Sequence, residues 1–273
     1  MLLKAHMTRK EYDKFDKANA NFQALTPLSF IERSAKVFPD HPAIVYGEIK
    51  YSWKELYART IKLASALTKL GIKHGDTVSI LSANTPEMIE AHFGVPMSGA
   101  VLNTINTRLD AETIGYILNH SEAKVFIVDS ELSPQAESAI KLSKNRDLYV
   151  IDIVDFQNAK EPKTIGHITY DKFIGSGDAD FDWQLPNDEW DAISLNYTSG
   201  TSGKPKGVVY HHRGSYLMSM GTITDWDLPK HPKYLYTVPL FHCNGWGHAW
   251  TMAALAGTIF CCLLYTSPSP RDG

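Results

Sequence analysis

The sequence has little cysteine: only three of its 273 residues, at positions 243, 261 and 262. The total is odd and two of the three are adjacent, which is not the paired framework of a small secreted domain. The N-terminal segment MLLKAHMTRKEYDKF becomes charged too early to hold the apolar core of a signal peptide. We therefore expect a reducing compartment and a cytoplasmic location. A peroxisomal or mitochondrial location is the alternative, because a peroxisomal targeting signal would lie at the C-terminus of the protein.

An excess of basic charge is also absent. The chain carries 27 Lys and Arg residues against 30 Asp and Glu residues, for a net charge of -3. A nucleic-acid-binding domain normally shows a basic excess on one face, so we do not expect nucleic acid as a partner. The 11 histidines do not recur at metal-ligand spacings.

No apolar run is long enough for a membrane span. Residues 234–270 contain no Asp, Glu, Lys or Arg, but the apolar part of this stretch is confined to residues 250–265 and contains Gly257. A bilayer needs ~20 apolar residues in one helix. We predict a buried helix followed by a buried strand here, not a transmembrane segment.

What the sequence does contain is an alternation of strand and helix patterns. Thr26 and Pro27 are typical of a helix start, and residues 43–53 predict a hairpin that turns at Gly47. The predicted helices cover residues 27–38, 53–70, 86–99, 111–120 and 134–144, and the predicted strands residues 77–81, 100–103, 124–129 and 148–154. Such alternation predicts an α/β fold with parallel β-sheets and crossover helices. Residues 155–190 are weakly periodic, and we predict a connecting region there.

A loop rich in glycine, hydroxyls and lysine follows the apolar strand ISLNYT. Ten residues, TSGTSGKPKG at 198–207, contain four hydroxyls, three glycines and two lysines. Glycine lets successive backbone N–H groups converge on an anion, and each hydrogen bond to a charged oxygen contributes ~1.5–3 kcal/mol. The alternative is a flexible surface turn, in which these residues are also common. The loop does not fit the P-loop pattern G-x-x-x-x-G-K-[ST], which disfavours a P-loop kinase or GTPase.

The segment YTSGTSGKPKG resembles the phosphate-binding loop of the adenylate-forming, or AMP-binding, superfamily of acyl-CoA synthetases, adenylation domains and firefly-type luciferases. Residues 84–109 are similar to the upstream helix–strand stretch of that superfamily, and VPLFHCNGW at 238–246 to its downstream acyl-site motif. The resemblance runs from about Asn21 to Cys262. The forms FHCNGW and HHRGSYL are most similar to the branch of medium-chain fatty acyl-CoA synthetases, plant acyl-activating enzymes and methylmercaptopropionate-CoA ligase.

The resemblance implies the N-terminal large domain of the adenylate-forming fold and a two-step reaction. A carboxylic acid attacks the α-phosphate of ATP to give an acyl-adenylate and pyrophosphate, and the thiol of CoA then displaces AMP. Mg²⁺ accompanies the nucleotide. The small-molecule partners implied are therefore a carboxylic acid, ATP and CoA, and a homodimer is compatible with the sequence.

Individual residues inherit expected roles from the resemblance. The residues that would bind the β- and γ-phosphates are Thr198, Ser199, Gly200, Thr201, Ser202 and Gly203, with Lys206 adding charge. Thr198 is also the one candidate for a Mg²⁺ contact, and Lys204 stands where the family varies. Such a site acts by positioning and electrostatic stabilisation, without a protein nucleophile, and no certain catalytic residue lies in this chain.

The acyl pocket is expected at His242 and Trp246. Trp246 offers a flat apolar wall, and His242 a polar tip that could orient a carboxylate. The alternative is that both are core residues. We expect Cys243 to be a small packed residue, and His211 and His212 to be structural.

The expected organisation is an N-terminal extension (1–26), a partial AMP-binding domain (27–262) and a tail of non-native origin (263–273). The resemblance implies that the rest of the active site lies beyond this chain: an aromatic-Gly-x-Thr-Glu motif, a ribose-binding aspartate and a lysine-bearing C-terminal domain. The expected function is an acyl-CoA synthetase of which this is an inactive N-terminal fragment. The alternatives are a non-catalytic nucleotide-binding or interaction module, and an adenylating enzyme with an acceptor other than CoA.

Overall fold

The computed structural model describes residues 16–18, 20–155, 162–198 and 203–261. In chain order, the elements of the first part are α1 (Leu28–Val37), β1 (Pro42–Tyr46), β2 (Ile49–Ser52), α2 (Trp53–Lys69), β3 (Thr77–Leu81), α3 (Pro86–Met97), β4 (Val101–Thr104), α4 (Ala111–His120), β5 (Val125–Asp129) and α5 (Ser133–Leu142). The second part consists of β6 (Tyr149–Ile153), β7 (Ile168–Thr169), α6 (Tyr170–Gly175), β8 (Ala192–Thr198), β9 (Lys206–His211), α7 (His212–Asp225), β10 (Lys233–Tyr236), α8 (Cys243–Trp246), α9 (His248–Leu255) and β11 (Thr258–Cys261).

The helices begin where short polar side chains satisfy their free N–H groups. Ser52 and Glu55 form a capping box on α2, in which the Ser52 hydroxyl accepts from the Glu55 N–H and the Glu55 carboxylate accepts from the Ser52 N–H. Thr85 caps α3, with Pro86 at its first position, and Asp110 caps α4. These starts agree with the helices predicted from the sequence.

The larger sheet has seven strands in the order β7-β6-β5-β3-β4-β8-β9. Its strands are parallel from β7 to β8, whereas β9 pairs antiparallel with β8. All five residues of β3 are buried, as expected for a central strand covered by helices on both faces. The predicted α/β class with parallel strands and crossover helices is confirmed.

The smaller sheet has four strands in the order β10-β11-β1-β2. The predicted hairpin is its β1–β2 pair, and Gly47 takes a φ of 54° at the turn. β1 pairs on its other edge with β11, parallel and in register Ile44 to Ile259. The predicted helix and strand in the uncharged C-terminal stretch are α9 and β11. No helix among the described residues combines the length and apolar character required to cross a bilayer.

The prediction of a connecting region over residues 155–190 is wrong for part of it. Residues 168–169 form β7 and residues 170–175 form α6. Tyr170, Phe173 and Ile174 are buried on one face of α6. Six helical residues give too short a period to stand out in the sequence, so tertiary burial decides the conformation here.

Candidate active site

The predicted phosphate loop connects β8 to β9. Thr198 is the last residue of β8 and pairs directly with Lys206, the first residue of β9. Both are exposed. Four residues of the predicted loop lie outside the described residues: Ser199, Gly200, Thr201 and Ser202. The structure therefore brings the hydroxyl-bearing and the lysine-bearing ends of the predicted loop side by side.

Gly203 and Lys204 follow on the described side of the loop. Gly203 has a φ of 132°, in the region that favours glycine, and a Cβ placed there would meet nothing within 4 Å. The Lys204 Nζ lies 5.3 Å from the centroid of the Tyr116 ring on α4, a cation–π contact. Lys204 and Lys206 thus differ in their surroundings, since Lys206 extends the strand opposite Thr198.

The predicted acyl-site residues lie on α8 and the residue before it. His242 and Trp246 are both exposed, Trp246 by 57%. Neither side chain is packed in the core of the part of the chain that the structure describes. Cys243 between them is half-buried. Burial, together with a side-chain hydrogen bond to Cys243, raises the pKa of Tyr210 to about 12.

A cavity of about 260 Å³ opens beside Cys243, between β9, α7 and α9. Its lining includes Tyr210, Met218, Cys243 and Trp250, and most of that surface is apolar. The two histidines after the loop behave as predicted: His211 Nδ1 accepts from the Gly214 N–H at the start of α7, and buried His212 bonds to the Thr26 hydroxyl.

The backbone of this segment is left-handed over five successive residues. From Cys243 to Gly247 the φ angles are 50°, 52°, 56°, 62° and 66°. Three of the five carry side chains: Cys243 and Trp246 each cost about 1–2 kcal/mol in a left-handed conformation, whereas asparagine, at position 244, adopts it more readily. The surrounding structure must offset this cost.

Asn244 supplies the contacts that hold the turn. Its side chain is completely buried. Its Oδ1 accepts from the Ser194 hydroxyl (2.7 Å) and from Asn196 Nδ2 (2.7 Å), both on β8. Its Nδ2 lies 3.2 Å from His92 Nε2 on α3. The Thr104 hydroxyl, on β4, donates to Asn196 Oδ1 (2.9 Å) and lies 3.1 Å from the Phe241 carbonyl oxygen.

These contacts join two of the segments that carry the sequence resemblance to the strand that leads into the third. His92 and Thr104 belong to residues 84–109, Ser194 and Asn196 to the strand before the phosphate loop, and Asn244 to the FHCNGW motif. None of these five residues was predicted from the sequence as part of the site. The sequence nonetheless contained a sign of them. Each is a polar residue in a largely apolar strand, helix or motif, and a polar side chain buried there needs a hydrogen-bond partner.

His92 is held in one tautomer by its neighbours. Its Nδ1 lies 2.7 Å from the Met88 carbonyl oxygen, which can only accept, so Nδ1 carries the proton and Nε2 accepts from Asn244. Complete burial lowers the pKa of His92 to about 4. The ring is therefore neutral at physiological pH, as its acceptor role requires.

His92 is expected to make the stability of the fold depend on pH. Because its pKa is about 4 in the folded state and about 6.5 in the unfolded state, its contribution is complete above pH 6.5 and is lost as the pH falls towards 4. At pH 7.5 the free energy of unfolding of His92→Asn should be lower than that of the wild type. The difference between the two free energies should become smaller by about 2–3 kcal/mol at pH 4.5. Urea unfolding at the two pH values measures this. A difference in unfolding free energy between wild type and variant that is the same at both pH values would contradict it.

Gly245 is expected to be intolerant of any side chain. A Cβ at this position would lie 2.3 Å from the Tyr236 Oη, and the φ of 56° adds backbone strain. We expect Gly245→Ala to lower the free energy of unfolding by about 2–4 kcal/mol, from overpacking and left-handed strain together. The matched control is Gly221→Ala in α7, where nothing lies within 4 Å and alanine should stabilise the helix by about 0.5–1 kcal/mol. Equal effects of the two changes in denaturant unfolding would refute this account.

The described residues contain no group of three or more His, Cys, Asp or Glu side chains able to hold a metal ion. The polar atoms offered at the hairpin are instead the Thr198 hydroxyl, the Lys206 ammonium and the backbone around Gly203. Donors of this kind suit an anion better than a bare cation.

Known proteins resemble this chain over most of its length. The AMP-binding enzyme family model matches residues 31–271. The chain is 44% identical over 265 residues to an acetate–CoA ligase of Humulus lupulus, which spans 93% of this chain and 47% of that protein. It is 43% identical over 263 residues to a peroxisomal acetate/butyrate–CoA ligase of Arabidopsis thaliana, spanning 92% of this chain and 46% of the relative.

A solved structure supports the fold. The crystal structure of an anthranilate CoA ligase in complex with anthranoyl-AMP superimposes with a TM-score of 0.76 at 22% identity, over 90% of this chain and 46% of that one. The chain thus spans about half the length of the relatives it matches. With a family model that covers most of its residues and relatives that share more than two fifths of its sequence, the chain belongs to the AMP-binding enzyme family, whose members similar to it are acyl-activating CoA ligases.

Proposed function

We propose that a protein containing this chain is an ATP-dependent acid–thiol ligase that converts a carboxylic acid into its CoA thioester. The observation that carries the proposal is the 43–44% identity to two CoA ligases across more than nine tenths of the chain. The β8–β9 hairpin supports it, because Thr198 and Lys206 lie opposite each other where a polyphosphate would bind.

The reaction has two balanced steps. A carboxylate oxygen attacks the α-phosphorus of ATP, the bond to the bridging oxygen of the β-phosphate breaks, and pyrophosphate leaves. The sulfur of CoA then attacks the acyl carbon, the bond to AMP breaks, and the thiol proton passes to solvent. The contribution of this chain is to hold the polyphosphate in line and to neutralise the charge that accumulates on the leaving group.

Each predicted residue has a proposed part in that contribution. Thr198 to Gly203 would donate hydroxyl and backbone N–H groups to the β- and γ-phosphates, with Lys206 as the adjacent cation. Mg²⁺ supplies charge neutralisation when it arrives with the nucleotide. Thr198 would offer one oxygen ligand to it.

The proposed acids are aliphatic and of short to medium length. His242 and Trp246 would contact the acid from the loop that Asn244 holds. The two relatives are an acetate–CoA ligase and an acetate/butyrate–CoA ligase. We propose a cytoplasmic location. A peroxisomal location is the alternative that the name of the Arabidopsis relative supports. Homodimerisation is retained as a proposal.

The proposed organisation is an extension at 1–26, part of an AMP-binding domain at 27–262 and a non-native tail at 263–273. Residues 262–273 lie outside the described residues. Resequencing the locus tests whether residues 263–273 are of non-native origin. A genuine exon that encodes them would disprove this prediction.

The function is tested by incubating the complete protein with ATP, Mg²⁺, CoA and a panel of carboxylic acids. Release of pyrophosphate and AMP together with a CoA thioester is the expected result. Release of pyrophosphate without a thioester would favour an adenylating enzyme with another acceptor. Release of neither product, with nucleotide binding retained, would favour a non-catalytic nucleotide-binding module.

A further inference from the structure

The loop that carries His242 and Trp246, residues 241–246, has little in its own backbone to keep it in place. Its left-handed residues disfavour the conformation that they adopt. Two backbone hydrogen bonds form at its turn: the Gly245 N–H donates to the His242 carbonyl (2.9 Å), and the N–H of Gly247, just after the loop, donates to the Asn244 carbonyl (3.0 Å). The loop must therefore be fixed from outside, and we call it the acyl loop.

One side chain makes most of the external contacts. Asn244 uses both ends of its amide: Oδ1 accepts two hydrogen bonds from β8, and Nδ2 donates one to His92. All four side chains are buried, so water does not compete for these donors and acceptors. Two other hydrogen bonds reach the loop from outside: the Thr104 hydroxyl lies 3.1 Å from the Phe241 carbonyl oxygen, and the buried Tyr236 hydroxyl donates to the Gly245 carbonyl (2.8 Å).

The anchor on β8 lies close to the phosphate loop. Asn196 precedes Thr198 by two residues on the same strand. β8 is held in turn by β4, because Asn103 Nδ2 donates to the Leu195 carbonyl (2.8 Å) and Thr104 donates to Asn196. A short, buried and fully hydrogen-bonded path therefore connects the acyl loop to the strand that ends at the phosphate loop.

We propose that Asn244 is a positioning residue, which fixes the acyl loop at a set place relative to the strand that leads into the phosphate loop. The inference rests on the proposed ligase function and deepens it. In-line attack requires the carboxylate oxygen and the α-phosphorus to be held close together, and a displacement of about 1 Å can cost about a hundredfold in rate. Asn244 thereby acts through the loop without touching the reacting atoms.

Asparagine could also be present only because it tolerates a left-handed backbone. Asn244→Gly separates the two roles, since glycine adopts φ of 52° freely but makes none of the three side-chain hydrogen bonds. In the complete protein we expect Asn244→Gly to lower kcat for pyrophosphate release about 10- to 100-fold. The KM for ATP should change less than about threefold, because the phosphate loop itself is intact.

Two further variants complete the design. Ser194→Ala removes one of the two donors to Asn244 Oδ1 and should lower kcat in the same direction by a smaller factor. Ser34→Ala is the control: its buried hydroxyl donates to the Ala253 carbonyl, away from the acyl loop, so it should lower the Tm and leave kcat unchanged. Should Asn244→Gly keep kcat within about twofold, or should Ser34→Ala reduce kcat equally at equal loss of Tm, the proposal is overturned.

Hydrogen exchange on the 273-residue chain gives a readout that does not depend on activity. The amides of Gly245 and Gly247 should exchange at least about tenfold faster in Asn244→Gly than in wild type, while amides in β3 stay protected. Equal exchange at Gly245 and Gly247 would refute the anchoring. If the wild-type complete protein activates no acid at all, the proposed function fails, and the exchange result alone decides whether Asn244 anchors the loop.

Discussion

Replacing Lys206 with alanine in the complete protein is expected to slow pyrophosphate release by about ten- to a thousandfold. Lys206 begins β9 directly opposite Thr198, and side chains that pair directly across two strands lie on the same face of the sheet. A charge-assisted hydrogen bond to a phosphate oxygen is worth about 1.5–3 kcal/mol, and its loss is felt most where negative charge builds up on the leaving pyrophosphate. Thr198→Ala should act in the same direction through loss of its hydroxyl.

Lys204 provides the matched control for this experiment. It lies two residues earlier in the same loop and carries the same charge, but it approaches the Tyr116 ring. Lys204→Ala should therefore change the rate by less than about threefold, the scale of an exposed cation–π contact. Steady-state pyrophosphate release at saturating ATP and acid measures all three variants. A rate unchanged in Lys206→Ala, or equal losses for Lys204 and Lys206, would refute the assignment of the loop.

The 273-residue chain alone is expected to form no acyl-CoA, even with ATP, Mg²⁺, CoA and a fatty acid supplied together. It spans 47% and 46% of the two CoA ligases that it resembles, and the motifs that the resemblance expects to complete the site do not occur in it. Catalysis by positioning depends on all the groups acting at once, so half a site gives far less than half the rate.

Thioester formation, followed by mass spectrometry of the CoA pool, tests this expectation. The complete protein is the positive control, and the chain carrying Lys206→Ala sets the background. A thioester made by the wild-type chain above that background would overturn the expectation. Nucleotide binding by the wild-type chain without turnover, measured by calorimetry, would instead agree with a chain that retains the phosphate loop only.

Much of the fold could be predicted because the main periodicities are strong. The strand at residues 77–81 and the helix at residues 111–120 match the structure at both ends. The helix has ten residues and an Asp110 cap, and the strand lies in a stretch where strands and helices alternate regularly. α6 was missed because its signal lasts six residues, and its buried face is evident only once α2 and β6 lie against it.

The site was predicted less evenly. The phosphate hairpin follows from local composition, since Thr198 and Lys206 stand in one short segment. The buried network around Asn244 brings together residues that are as far as 152 positions apart in the chain, as His92 and Asn244 are. Pairings over such a separation leave no local pattern. The left-handed turn was hidden for a related reason: Cys243 and Trp246 have no intrinsic preference for it, and tertiary contacts impose it.

The parallel pairing of β1 with β11 has a consequence for folding during synthesis. Ile44 pairs with Ile259, so the inner edge of β1 has no partner strand until some 215 further residues have been made. At ribosomal speeds of about 5–20 residues per second, this leaves an apolar strand edge open for roughly 10–40 s. A nascent chain in that interval would offer chaperones, or another unfinished copy, a strand edge that the folded protein no longer exposes.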